Sequence, residues 1–180
     1  MRKPVSISLI SLHIINQVKK IRISLGFTTR DIQKILELDE DGNILGSIES
    51  NFNSAKYHDK HLNKLAIAFT DRAHEQGKDI TYTVADFYPP NDLEEEMVDK
   101  IIIEIEPKEL GQTETLQLLL IEENDSFFNE WHNSKEIAHH CGLKAKRLWE
   151  AKDFTAIIDY AVSKGKLIRK SDEESLFKRP

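Results

Sequence analysis

Residues 18–32 read VKKIRISLGFTTRDI, and the fold turns on how this stretch is parsed. Ile14, Val18, Ile21 and Leu25 are spaced four, three and four apart, which places them on one face of a helix that Gly26 then stops. Thr28 follows, with Asp31 three residues later, a capping-box-like start to a second helix. Ile32, Ile35 and Leu36 supply its buried stripe. Further on, Asp39-Glu40-Asp41-Gly42 reads as a turn. Leu45 and Ile48 anchor a short third helix ending near Ser50, and residues 51–57 form a polar loop. Leu62, Leu65, Ala66 and Phe69, at i, i+3, i+4 and i+7, give a fourth helix. Upstream, residues 1–17 carry a basic pair and an apolar stretch without a small-residue cleavage site, so they are expected to begin a helix rather than a signal peptide.

The chain has 180 residues, room for one large or two small domains. No uncharged apolar run is long enough to span a bilayer, so no membrane partner is expected. The lone cysteine, Cys141, excludes an intrachain disulfide and a multi-cysteine zinc site, and a reducing cytoplasm is the expected compartment. The net charge of −6 is unevenly spread. Residues 1–82 carry 12 basic and 10 acidic side chains, residues 83–110 carry 2 and 9, and residues 134–180 carry 11 and 7. Two mildly basic modules thus flank an acidic segment, so the overall charge does not exclude a polyanionic partner.

That segment, residues 85–110, contains Pro89-Pro90 and Glu94-Glu95-Glu96 and reads as an acidic linker between domains spanning 1–84 and 111–180. Two readings stay open for its charge: a solvated tether, or an arm that competes with nucleic acid for a basic surface. Ile101, Ile103 and Ile105 alternate with glutamates and predict a short strand. Beyond it, residues 115–121 predict an apolar helix, and Ser134 caps a short helix with Ile137 and Ala138 inward. Cys141-Gly142-Leu143 reads as a tight turn. Leu148, Phe154, Ile157, Ile158 and Ala161 define a longer helix stopped at Gly165. Leu167-Ile168 and Leu176-Phe177 flank a polar tip and predict a hairpin. The fold class expected is mostly α, with a small α+β module at the C-terminal end.

Val18 to Arg22, Gly26 to Ile32, Ile48-Glu49-Ser50 and Leu62 to Phe69 together resemble the XRE-type, Cro/lambda-repressor-like helix-turn-helix family over about residues 12–72. The resemblance implies a duplex-DNA-binding transcriptional regulator, usually dimeric, with half-sites about one helical turn apart. It places Thr28, Thr29 and Arg30 where the second helix meets the sugar-phosphate backbone. Asn43, Ile44 and Ser47 fall on the outward face of the third helix, and Asn51, Asn53 and Lys56 in the loop after it. Arg22 is carried with this DNA-contacting set. The sequence departs from the family in a longer, acidic turn at Asp39, Glu40 and Asp41, and in Ser47, where arginine often occurs.

Ser134 to Ala138, Cys141 to Leu143, and a helix expected to begin at Lys144 resemble the reading unit of a winged-helix domain over about residues 113–178. That resemblance implies a second DNA surface at Lys144, Lys146, Arg147, Lys166, Arg169 and Lys170, with solvated lysines as the plain alternative. Trp149 is open between a docking anchor and a core residue.

The candidates for catalysis are weak. His139-His140-Cys141 are neighbours on a helix and point different ways, so they do not share a metal ion. There is no phosphate-cradling glycine loop and no nucleophile elbow. The expectation is a non-enzymatic, cofactor-free DNA-binding protein acting as a homodimer. The alternative is an adaptor or antitoxin using the same folds to bind protein, and an enzyme accessory subunit is a distant third.

Overall fold

The computed structural model describes residues 2–36, 44–94, 96–171 and 173–180. It is mostly helical, with two small sheets, and divides into units spanning 1–104 and 105–180.

In the first unit, Ser8 ends strand β1 (Ser6–Ser8) and accepts a hydrogen bond from the Ser11 N–H at 3.3 Å, starting helix α1 (Leu9–Ser24). Gly26, at φ 70°, reverses the chain. The predicted capping box is present: Thr28 Oγ1 accepts from the Asp31 N–H at 3.0 Å, and Asp31 Oδ2 accepts from the Thr28 N–H at 2.9 Å. It opens helix α2 (Thr29–Ile35). Helices α3 (Ile44–Ile48) and α4 (Asp59–Glu75) follow, and all four residues of the predicted α4 stripe are buried. Phe69 lies at the centre of the core, its ring 5.3 Å from Phe27, 6.1 Å from Tyr82 and 6.0 Å from Phe87. The acidic turn at Asp39 to Asp41, and Asn43, lie outside the described residues.

Two features of this unit differ from expectation. Of the predicted α1 stripe Val18, Ile21 and Leu25 are buried while Ile14 is only partly so, and Ile15 and Arg22 are buried beside them. The segment after α4 is no tether as far as residue 104. A 3₁₀ turn at Val84–Phe87 buries Phe87, and strand β2 (Met97–Asp99) pairs antiparallel with β1, Ser6 opposite Asp99 and Ser8 opposite Met97. The Lys100 N–H then donates to Val5 O at 2.8 Å, so the pairing extends past the strand. The strand expected over 101–105 is displaced to 97–99. Inward positions are Val98, Lys100 and Ile102, not the odd-numbered isoleucines, and Ile101 is exposed.

The second unit begins with a 3₁₀ turn at Pro107–Glu109 and helix α5 (Gln112–Gln117), which continues as a π turn over Leu118–Glu122. After a 3₁₀ turn at Ser126–Asn129 come strand β3 (His132–Asn133), helices α6 (Ser134–Ala145) and α7 (Ala151–Ser163), and strands β4 (Ile168–Arg169) and β5 (Leu176–Lys178). The strands form an antiparallel sheet ordered β3-β5-β4. The hairpin predicted at residues 167–177 is therefore present, and Gly165 ends α7 at φ 65°. Leu116, Leu119, Phe128, Ile137, Phe154, Ile158, Leu167 and Phe177 make the core.

Here too the boundaries shift. Asn133, not Ser134, caps α6: its side chain accepts from the Glu136 N–H at 3.0 Å while Glu136 accepts from the Asn133 N–H at 2.8 Å. Residues 141–143 are not a turn but the helix interior. Gly142 is required by proximity, because a Cβ there would lie 2.6 Å from Arg147 O. The chain leaves α6 at Lys146, which takes the left-handed conformation at φ 55°. The next helix starts at Ala151 rather than Lys144. Trp149 is half-buried and packs beside the core, 5.7 Å from Phe154. Among the described residues no helix is long and apolar enough to cross a membrane.

Candidate nucleic-acid interface

In α3 the apolar residues Leu45 and Ile48 face inward and are fully buried. This turns Ile44 and Ser47 toward an open groove of about 580 Å³, also lined by Asn53, Ser54, Ala55, Lys56, His58 and His61. Four residues expected to contact DNA, Ile44, Ser47, Asn53 and Lys56, thus meet on one surface. Among the described residues its lining carries an ammonium, hydroxyls, an amide and two imidazoles, and no carboxylate. Asn53 is exposed, and its Oδ1 accepts from the Ala55 N–H at 2.9 Å, which fixes the loop locally. Lys56 and His58 are exposed. His61 is buried; burial first, then the neighbouring His58, Lys60 and Lys64, hold its pKa below the usual histidine value. At the start of α2, Thr29 and Arg30 are exposed. The Thr28 oxygen is occupied by its cap, so its hydroxyl hydrogen is the group left for a phosphate oxygen.

Two residues of the expected set have other work. Arg22 is 1% exposed and cannot reach DNA. Its Nε and Nη2 donate to the two Glu49 carboxylate oxygens at 2.7 and 2.6 Å, and its Nη1 to Phe27 O at 3.3 Å. It ties α1 to the end of α3 and the turn before α2. Asn51 Oδ1 accepts from the Ile102 N–H at 2.8 Å, and Asn51 O from the Val5 N–H at 3.0 Å, so this asparagine anchors the loop to β1 and the β2 segment. Asn43 lies outside the described residues.

Sequence reasoning missed Lys100, which counted only as one cation in an acidic run. It is fully buried, and Nζ donates to Asn53 O at 2.6 Å, Ala55 O at 3.0 Å and Ser47 O at 3.5 Å. Burial lowers its pKa. The available signal was the inward alternation of Val98, Lys100 and Ile102.

In the second unit most of the expected DNA-contacting cations are engaged by protein. Lys144 Nζ lies 3.0 Å from Asp125 Oδ2, and Arg147 donates to Lys108 O at 3.1 Å and Leu110 O at 3.2 Å. Arg169 pairs with Asp159 at 2.7 Å, and Lys170 with Glu174 at 2.7 Å. Lys146 is exposed and Lys166 half-buried. Asp125 also meets His140 Nε2 at 2.9 Å. Burial alone would raise its pKa, but the hydrogen bonds from the Phe127 N–H, His140 and Lys144 outweigh burial and hold it at about 2. The Phe127 ring stacks between His132 and His140, at 3.7 and 3.9 Å. At the α6–α7 junction, Leu143 and the wholly exposed Leu148 face solvent.

Among the described residues no group of three His, Cys, Asp or Glu side chains could hold a metal. Burial pushes the Cys141 thiol up to about 12, which removes it as a thiolate nucleophile near neutral pH. Comparison with protein-family models, curated proteins and solved structures returned no match.

Proposed function

We propose that the first unit binds duplex DNA in the manner of the XRE-type helix-turn-helix proteins and serves in transcriptional regulation. One observation carries this reading: the groove where the outward side of α3 meets Asn53 and Lys56, whose lining among the described residues holds donors and a cation and no carboxylate. Duplex DNA presents closely spaced phosphates, so a surface that follows it needs donors and cations and must hold carboxylates away. Arg30 at the start of α2 supplies a further cation, and Ser47 on α3 a short polar side chain suited to a base edge. A homodimer would present two such surfaces to half-sites about one helical turn apart.

Binding of the full chain to mixed genomic duplex DNA, measured at about 50 and 200 mM salt, tests the proposal. Affinity should fall steeply between the two. Arg30→Ala should weaken binding to every sequence and lower the salt slope by about one. Ser47→Ala should weaken the preferred site more than random DNA. No binding at the lower salt would remove the reading. Gel filtration tests the dimer.

The second unit runs helix, strand, helix, helix and hairpin, an order compatible with the winged-helix resemblance. For it we favour protein docking, the adaptor role. The exposed side of α7 includes Lys152, which pairs with Glu150 at 2.8 Å, and Asp159, a poor surface for phosphates, whereas Leu143 and Leu148 are large apolar side chains left in water.

A further inference from the structure

Three carbonyl groups converge on one amine beneath the wall of the groove. Ser47 O comes from α3, and Asn53 O and Ala55 O from the loop that follows. The amine reaches them from Lys100, on the extended segment after β2. An ammonium has three hydrogens and meets three acceptors here, so its donors are matched. Among the described residues no carboxylate pairs with it. Burying a cation without a counterion is costly, and only convergent acceptors make it tolerable. The two loop residues whose carbonyls it draws in flank Ser54 and precede Lys56, the groove's ammonium.

We propose that Lys100 is a positioning residue for the DNA-binding face: it gathers Ser47, Asn53 and Ala55 so that Lys56 and the Asn53 amide stand where a sugar-phosphate strand passes. This rests on the DNA-binding reading of the groove. Being fully buried, Lys100 touches no ligand itself. Its influence runs through the loop, which Asn51 pins to the same segment through Ile102 and to Val5 beside β1. The DNA-binding unit accordingly extends through residue 102, past the helices that carry the helix-turn-helix resemblance.

A double-mutant cycle on the full chain tests this. K100M keeps length and apolar bulk but offers no donor, and K56M removes the cation it is said to place. With a short duplex as probe at about 50 mM salt, K100M should weaken binding about tenfold in the native background and less than about twofold beside K56M. A lysine that merely stabilised the unit would cost the same in both backgrounds. Circular dichroism checks that each variant is folded. If K100M does not fold, K100Q, which keeps two N–H donors, replaces it in the same cycle with a smaller loss and the same non-additivity. Equal losses in the two backgrounds, or none, overturn the proposal. A native chain that binds no duplex removes the DNA reading itself, and Lys100's role with it, a result distinct from additive losses in a chain that binds.

Discussion

Replacing Arg22 by methionine should destabilise the first unit rather than impair a DNA contact. The Arg22 side chain is 2% exposed and that of Glu49 12%, so removing the guanidinium leaves a carboxylate with little water and no partner at 2.6 Å. It also orphans the Phe27 carbonyl. Breaking one side of a buried ion pair costs about 3–5 kcal/mol. In a unit of this size each kcal/mol moves the midpoint by about 4–8 °C, so melting should fall by at least about 12 °C. The two tryptophans, Trp131 and Trp149, both lie in the second unit, so their emission follows that unit alone while far-ultraviolet circular dichroism follows both. The early transition should appear in the dichroism and leave the tryptophan signal unmoved. R22M/E49L, which removes both charges, should recover most of the loss, because the penalty lies in the stranded partner. The reasoning fails if R22M melts within a few degrees of the native chain, or if it weakens DNA binding while melting normally.

Three further outcomes concern the second unit. Gly142→Ala should cost about 1–3 kcal/mol by forcing a methyl against Arg147 O, and tryptophan-detected urea unfolding reads it; an unchanged midpoint contradicts the packing. Asp125, at about 2 in the folded unit against an ordinary 3.8, gives stability that is fully present above about pH 4 and is lost as pH falls toward 2. Native and Asp125→Asn chains should differ by about 2 kcal/mol at pH 6 and converge at pH 2, and a constant difference would show the carboxylate is not responsible. The Cys141 thiol should resist a thiol reagent at pH 8 in the native chain and react on urea unfolding; prompt native labelling would refute its burial.

Much of the architecture could be read from the residues because it depends on local chemistry. The Gly26 stop, the Thr28–Asp31 cap, the α4 stripe and the C-terminal hairpin each follow from side chains a few positions apart. Two misreadings share a cause. Arg22 occupies a core-facing position of α1 and Lys100 a core-facing position after β2, so each disguises the true apolar stripe, and the eye slides one residue to Ile14 or to Ile101. Which carboxylate or carbonyls make those positions tolerable depends on chain segments dozens of residues away. Gly142 was misread as a turn for a related reason: the crowding that demands it comes from Arg147, after the helix ends. In the candidate site, residues projecting from short elements were identifiable by spacing, whereas Asn51 and Lys100 are defined by partners that only the fold supplies.

The pairing of Ser6 to Ser8 with Met97 to Asp99 also orders events at synthesis. The first strand leaves the ribosome about ninety residues before its mate and must wait, its edge unmatched, while four helices emerge. Only when the segment carrying Lys100 clears the exit tunnel can the loop facing the groove be locked. A nascent chain stalled short of that point should therefore contain helices but lack a finished surface for its partner.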